Sequence, residues 1–167
     1  TVIDSQSPQQ EMNMIRPYRP SDSAAVLDLW LEASIKAHDF VPEAFWREQL
    51  DAMREHYLPQ SETLVLEEQG QVLGFLSLHE HRLAALFVSP IAQGRGLGRQ
   101  LLDEAKRRRS ALELSVYSAN ARAVAFYQAG GFSTVAESPD PHTGQPELVM
   151  RWACDSDSSG NSVPSSD

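Results

Sequence analysis

Three glycines stand within five residues, at Gly94, Gly96 and Gly98, between an apolar segment and an amphipathic one. The apolar segment, Leu83–Val88, predicts a strand covered on both faces, and Leu97–Arg109 predicts a helix. Glycine allows backbone N–H groups to crowd around an anion, and the first turn of a helix leaves its N–H donors unpaired at the positive end of the helix dipole. The segment therefore predicts a phosphate or pyrophosphate site between a strand and a helix.

Two familiar kinds of phosphate loop do not fit these residues. No Gly-Lys-Ser/Thr sequence follows the glycines, which argues against a nucleoside-triphosphate loop, and Arg99 stands where a dinucleotide loop would have its third glycine. Arg95 and Arg99 would place positive charge beside a bound anion. A tight turn that binds nothing remains an alternative, because glycine-rich loops are common.

The remaining periodicity predicts an α/β (or α+β) chain with one mixed sheet and helices on both faces. Strands are expected over Ile15–Tyr18, Thr63–Glu67, Val72–His79, Leu83–Val88, Glu113–Tyr117, Phe132–Glu137 and Glu147–Trp152. Helices are expected from a cap within Ser21–Ser23 through Ile35, and over Pro42–Tyr57, Leu97–Arg109 and Asn120–Ala129.

One domain is expected over residues 14–152, since a chain of 167 residues is about one domain long. Residues 1–13 are polar and aperiodic and are expected to be a disordered or non-native tail, with Met12 or Met14 as the possible natural start. Residues 153–167 are expected to be a second disordered tail, because they are rich in Ser, Asp and Gly and hold little apolar surface.

Composition excludes several classes of function. The formal net charge of -9, from 14 basic and 23 acidic residues, is unsuited to non-specific nucleic-acid binding. No apolar run approaches the ~20 residues that cross a bilayer, so no membrane partner is expected. Residues 1–11 lack the pattern of a secretory signal, and a single cysteine, Cys154, allows no internal disulfide; a cytoplasmic location is expected. The histidines have no metal-ligand spacing, so no metal is expected.

Three segments in this order resemble the GNAT superfamily of N-acetyltransferases. Gln93–Gly98 is similar to its Q/R-x-x-G-x-G/A signature, Asn120 with Ala125–Phe132 to its N-x-x-A-x-x-F-Y-x-x-x-G-F segment, and Leu86–Pro90 to its strand-4 pattern. The resemblance implies a single-domain fold whose mixed, mostly antiparallel seven-stranded sheet is flanked by about four helices. It also implies transfer of acetyl from acetyl-CoA to a primary amine of a small molecule or peptide.

The same resemblance implies how the coenzyme binds. Its pantetheine arm would lie along the strand-4 backbone, its pyrophosphate on the loop amides, and Asn120 would hydrogen-bond the pantetheine. Tyr127 would be the general acid, since a phenol with a pKa of ~10 suits donation to a leaving thiolate. Alternatively, Asn120 caps a helix and Tyr127 packs in the core. The coenzyme-binding residues implied are Leu86, Phe87, Val88, Gln93, Gly94, Arg95, Gly96, Leu97, Gly98, Arg99, Asn120, Phe126 and Tyr127.

The general base is not inherited from the family pattern. Many members carry an acidic residue on strand 4 where this chain has Ala84. His79, Glu80 and His81, at the turn before strand 4, are candidates because histidine titrates in the right range, although exposed turn residues are the simpler interpretation. Tyr117 is a further candidate.

The acceptor amine is expected near the connection between the first two helices, where His38 and Asp39 are candidate binding residues together with Tyr117. A solvated pair at a helix end is the alternative for His38 and Asp39. A homodimer is possible. An acyl-CoA-binding module that transfers nothing is the alternative function, motivated by Ala84, and a toxin that acetylates aminoacyl-tRNA is disfavoured by the acidic charge.

Overall fold

The computed structural model describes residues 13–154, and the remainder of both predicted tails lies outside this range. Asn13 begins the first strand and Ala153 ends the last, so the sheet extends one residue beyond each expected domain boundary. No helix among the described residues has the length and apolar character needed to cross a bilayer.

Seven strands form one sheet in the order β1-β2-β3-β4-β5-β7-β6. Neighbouring strands are antiparallel except β4 and β5, which are parallel and are joined by a helical crossover. The predicted fold class is confirmed. The strands are β1 Asn13–Pro17, β2 Glu62–Glu68, β3 Gln71–His79, β4 Arg82–Val88, β5 Ala111–Tyr117, β6 Ser133–Pro139 and β7 Pro146–Ala153.

Helices occur in each of the four regions that the sequence predicts, and one further short helix, Leu58–Gln60, follows the second region. They are α1 Ser23–Ala37, α2 Glu43–Glu48, α3 Leu50–Ala52, α4 Leu58–Gln60, α5 Leu97–Arg108 and α6 Ala121–Ala129, with 3-10 turns at Pro20–Asp22 and Pro90–Ala92.

The prediction of one continuous helix over Pro42–Tyr57 is wrong. Short helices α2, α3 and α4 follow one another, with a π-helical turn at Met53–Tyr57 before α4. Pro59, in α4, explains the wide turn: proline has no N–H for the carbonyl four residues earlier, and its ring pushes that carbonyl away.

The start of α1 also differs from the expected side-chain cap. Asp22 holds the N-cap position, but its carboxylate makes no cap hydrogen bond. It accepts instead from both Nη atoms of Arg16, each at 2.9 Å, and from the Arg19 amide at 2.7 Å. The buried carboxylate therefore ties β1 to the start of α1.

Apolar side chains form one cluster on each face of the sheet. On one face, α1 and the α2–α4 region pack on Val65, Phe75 and Tyr117. On the other, Leu101 and Leu102 of α5 pack with residues such as Leu64, Leu66, Leu112 and Met150.

Strand β4 is less covered than its apolar sequence predicts. Leu83 is buried, but Ala84 is exposed and the next four residues are only half-buried. The prediction of full cover is wrong because β4 and β5 separate, as described next.

Candidate functional site

A cleft opens in the middle of the sheet where β4 and β5 part. Their register contains one pair, Arg82↔Glu113, next to a hydrogen bond of 2.9 Å from the Glu113 amide to the His81 carbonyl. Beyond this pair the β4 backbone faces the gap. A bulge in the β3–β4 ladder, which pairs Ser77 with Ala85 and Leu78 with Leu83, leaves Ala84 without a partner in β3.

A cavity of about 340 Å³ occupies this cleft. Its lining comes from α1, the α2–α4 region, β3, β4, β5, α6 and β7. Six of the predicted site residues line it, namely His38, Leu86, Phe87, Tyr117, Asn120 and Tyr127.

The glycine-rich loop continues from the end of β4, past the cavity. Gly94 and Gly96 have φ angles of 86° and 79°, a left-handed backbone that glycine adopts without strain. A Cβ built on either would meet no atom within 4 Å, so the space in front of the loop is open. Gly96 is the N-cap of α5, and the first turn of α5 holds no acidic residue. The loop thus presents unpaired N–H groups to open space, as an anion site requires.

The two arginines beside the loop are both exposed and both paired. Arg95 Nη2 lies 2.6 Å from Glu68 Oε1, and Arg99 Nε lies 3.6 Å from Asp103 Oδ1. Exposed ion pairs are weak, so either arginine could turn to an anion at small cost. Gln93 donates from Nε2 to the Val88 carbonyl at 3.1 Å, which fastens the loop to β4.

Asn120 caps α6, as the alternative interpretation of this residue predicted. Its Oδ1 accepts from the Ala123 amide at 3.3 Å, and its Nδ2 lies 3.4 Å from His38 Nε2. Because Oδ1 is used by the cap, Nδ2 donates and His38 Nε2 accepts. This contact fits the neutral tautomer of His38 that carries its proton on Nδ1.

His38 is buried among aromatic rings. It stacks on Trp46 with ring centres 4.9 Å apart and meets Tyr117 and Phe40 edge-on at 5.2 and 5.7 Å. Burial lowers the pKa of His38, against a smaller opposing effect of the Ser34 backbone. Asp39, in contrast, is exposed and lies outside the cavity lining.

Tyr127 is buried on α6 between the rings of Phe126 and Phe132, whose centres lie 5.1 and 5.5 Å from its own. Burial raises the pKa of its phenol, so the hydroxyl stays protonated at neutral pH. Burial is the one cause of this shift, with no contribution from a hydrogen bond within the described residues, and Tyr127 lines the cavity. A donor is therefore available there.

Tyr117, at the end of β5, donates its hydroxyl to the buried carboxylate of Asp140 in the β6–β7 loop. Asp140 also accepts from the His142 amide at 2.9 Å and the Thr143 hydroxyl at 3.2 Å. Burial raises the pKa of Tyr117, and the adjacent Asp140 raises it further. Burial alone would raise the pKa of Asp140, but its hydrogen bonds outweigh burial and lower it.

Glu147, on β7, is a cavity residue that the sequence did not single out. It pairs with Tyr117 in the β5–β7 register, so the two side chains share one face of the sheet. Burial raises the pKa of Glu147, and the charge of Asp140 adds to the effect. Only the strand register brings Glu147 to the cavity, and the sequence carries no local signal of that register.

The histidines suggested as bases lie elsewhere. His79 and His81 are exposed at the β3–β4 turn and are not among the residues that line the cavity. His79 Nδ1 lies 3.3 Å from the Gln60 carbonyl, and Glu80 between them has a φ of 56°. Within residues 13–154 no group of three or more His, Cys, Asp or Glu side chains could hold a metal ion.

Comparison with known proteins agrees with this geometry. The chain is 40% identical over 140 residues to the peptidyl-lysine N-acetyltransferase YiaC of Escherichia coli K12, a match that covers 83% of this chain and 96% of that one. It is 30% identical over 140 residues to the peptidyl-lysine N-acetyltransferase YjaB of the same strain, covering 83% and 95%. The solution structure of apo-form YjaB from Escherichia coli superposes with a TM-score of 0.75 at 28% identity, covering 85% of this chain and 98% of that one.

The sequence profile described as the acetyltransferase (GNAT) domain matches residues 22–154. This range includes the cleft, the glycine-rich loop and α6. The chain therefore belongs to the GNAT family of acetyl-CoA-dependent N-acetyltransferases, as its motifs predict.

Proposed function

We propose that this enzyme transfers the acetyl group of acetyl-CoA to the side-chain amine of a lysine in a peptide or protein. The observation that carries the proposal is the cleft between β4 and β5, which has an open backbone edge on one side and an aromatic wall on the other. Two relatives that match over most of their length are named peptidyl-lysine N-acetyltransferases, which favours this acceptor.

The coenzyme would bind along the open edge of β4. Leu86 and Phe87 line the cavity, and the strand leads directly into the glycine-rich loop. Pantetheine amides would pair with the β4 backbone, while the pyrophosphate would meet the N–H groups at the start of α5. Asn120 Nδ2, already turned toward the cavity, would be shared between His38 and the pantetheine.

The acceptor would enter from the opposite side, past α2 and the π-helical turn. Trp46, Phe45, Tyr57 and Tyr117 line this side of the cavity. An aromatic wall suits the apolar stem of a lysine, and ring faces attract its ammonium group. Glu147, on β7, adds an anionic group to the same cavity.

Tyr127 would protonate the sulfur that leaves. The amine nitrogen attacks the thioester carbonyl, the C–S bond breaks, and the thiolate takes the phenolic proton of Tyr127. The raised pKa of this buried phenol keeps it protonated but also makes it a weaker acid, so its proton can pass to the thiolate only if the same burial raises the basicity of the thiolate. The amide nitrogen then returns a proton to the phenolate.

A peptide library tests the acceptor. Peptides with a blocked N-terminus and a single lysine should release free coenzyme A thiol and gain one acetyl group on Nε, located by fragmentation mass spectrometry. Matched peptides with arginine in place of lysine should gain none. Acetylation confined to free α-amines or to small amines, with lysine peptides inert, would contradict the proposal, and tight coenzyme binding with no amine acetylated would favour a binding module.

A further inference from the structure

Acetyl transfer to a lysine needs a group that takes a proton from the ammonium, because only the neutral amine is a nucleophile. The exposed Ala84 supplies no such group on β4. The ionisable side chains that line the cavity are those of His38, Tyr57, Tyr117, Tyr127 and Glu147.

Four of these five groups are poorly suited to accept a proton. Three of them are phenols, a class of group that holds its proton at neutral pH and so cannot accept another, and burial raises the pKa of Tyr117 and Tyr127. His38 is buried among aromatic rings, and burial lowers its pKa, which disfavours the protonated form. Glu147 remains.

We propose that Glu147 is the general base for the acceptor amine, acting on the lysine ammonium directly or through one water molecule. This assignment rests on the proposed transfer to lysine. Among the described residues, the Glu147 carboxylate makes no hydrogen bond and no ion pair, although it is half-buried in the cavity wall. Its oxygens are therefore available to a ligand.

The neighbour across the ladder favours the same role. Cβ atoms of directly opposed residues in an antiparallel pair lie ~5 Å apart, so Glu147 stands beside Tyr117. Since the Tyr117 hydroxyl donates to Asp140, its oxygen can only accept a hydrogen bond from a ligand, in competition with the Thr143 hydroxyl. An ammonium group entering here would meet two hydrogen-bond acceptors side by side.

None of the described charged and titratable groups around Glu147 forms an ion pair with its carboxylate, so the carboxylate can accept a proton. Asp140 and His142 face it from the β6–β7 loop, Arg82 from β4 and Tyr117 from β5. Arg82 is directed to other partners: its Nη2 donates to the Ser115 hydroxyl at 2.7 Å and its Nη1 lies 3.7 Å from Glu113. Burial and Asp140 raise the pKa of Glu147, which brings the carboxylate closer to the pH at which a base works best.

The protons balance in this scheme. The lysine ammonium carries three: one goes to Glu147 and then to solvent, one reaches the thiolate through Tyr127, and one stays on the amide. The C–S bond breaks as the C–N bond forms, and no other reactant is needed.

The test compares Glu147→Gln with Glu137→Gln. Glu137 is an exposed carboxylate on the adjacent strand β6 and pairs with Leu148, on the other face of the sheet, so it is a matched control for the loss of charge. We expect Glu147→Gln to lower kcat/KM for a lysine peptide by ~100-fold at pH 7, the low end of general-base effects. The loss should shrink toward pH 10 as the lysine deprotonates in solution.

The control Glu137→Gln should match the parent enzyme. Glu147→Asp should keep the parent pH profile at a reduced rate. Coenzyme affinity and Tm should not change in any of the three variants.

A second acceptor sharpens the comparison. A peptide with thialysine, whose amine is less basic than that of lysine, should lose less activity in Glu147→Gln than the lysine peptide does. If the parent enzyme acetylates lysine and Glu147→Gln keeps the parent pH profile, or loses the same factor at every pH, the base assignment falls and the proposed function stands. If the parent acetylates no lysine peptide, the proposed function falls first.

Discussion

The hydroxyl of Tyr117 donates a hydrogen bond to the carboxylate of Asp140, which joins the last residue of β5 to the loop between β6 and β7. The loop folds on this carboxylate, because its His142 and Thr143 donate to it as well. The cavity wall at Tyr117 and Glu147 thus depends on a residue that does not itself line the cavity.

Asp140→Asn should loosen this wall. The amide replaces one accepting oxygen with a donor, so either His142 loses its acceptor at Oδ1 or Tyr117 and Thr143 lose theirs at Oδ2, at a cost of about 1–3 kcal/mol per lost bond in the free energy of unfolding. We expect KM for the acceptor to rise while coenzyme affinity stays constant, measured by denaturant unfolding, steady-state kinetics and calorimetry. Thr143→Val, which removes only the bond of 3.2 Å, should have a smaller effect. Equal effects of the two changes would contradict the central role of Asp140.

Tyr127→Phe tests the proposed general acid. Removing only the hydroxyl should lower kcat by roughly 100-fold or more, in the range of general-acid effects, with little change in coenzyme affinity. Phe126→Leu, a change of packing beside the same ring, serves as the comparison. If Tyr127→Phe weakened coenzyme binding as much as it slowed turnover, Tyr127 would be a packing residue.

Gly96→Ala and Gly70→Ala form a matched pair. Both glycines have nearly the same φ, 79° and 78°, and a Cβ at either meets no atom within 4 Å. Each change should cost about 1–2 kcal/mol of stability from backbone strain alone. Only Gly96→Ala should also weaken coenzyme binding, because it alone lies in the loop before α5. Equal coenzyme affinity in both variants would remove the loop from the binding site.

Asn120→Asp should change the charge of His38. A carboxylate still accepts from the Ala123 amide and keeps the cap, but beside His38 Nε2 it favours the imidazolium form and raises the pKa of His38. Titration followed by NMR should show the rise. Asn120→Ala should instead lose about 1 kcal/mol of stability with the cap and leave the pKa of His38 low. An unchanged pKa in Asn120→Asp would mean that the two side chains do not interact.

The stability of the protein should fall in acid partly through Asp22. The hydrogen bond from Arg16 lowers the pKa of Asp22 below its ordinary 3.8, against the opposing effect of burial. A carboxylate with a lowered folded-state pKa adds stability that is present above the unfolded-state pKa and is lost as the pH falls through the folded-state value. Asp22→Asn should therefore be less stable at pH 7 and lose less further stability as the pH falls below 3.8. Asp28→Asn, which removes an exposed carboxylate with the same change of charge, is the control.

The parts of the site that are predictable from sequence are those encoded by contiguous residues. The glycines at 94, 96 and 98, the strand before them and the helix after them lie where the sequence predicts, and the Asn120 cap forms within α6. The fold could be predicted because these local segments occur in the same order as in the GNAT family.

The acceptor side was not predictable in the same way. Tyr117 reaches Asp140 across 23 residues, and Glu147 reaches the cavity only because β5 pairs with β7 in one particular register. Neither relationship has a local pattern, and a shift of one residue would turn Glu147 to the opposite face. Pro59 indicates the break in the second helix. The periodicity of the apolar residues, taken alone, predicts a continuous helix instead.

The separation of β4 from β5 leaves an unpaired edge on each of these two strands, inside the molecule. Unpaired strand edges attract the strands of other chains and promote aggregation, which is why proteins shield them. Here the unpaired edge of β4 lies in the cleft, in the middle of the sheet, whereas the outer edges of the sheet are at β1 and β6. The enzyme thus keeps an unpaired strand edge available to a ligand, away from the outer edges of the sheet where strands of other molecules could pair with it.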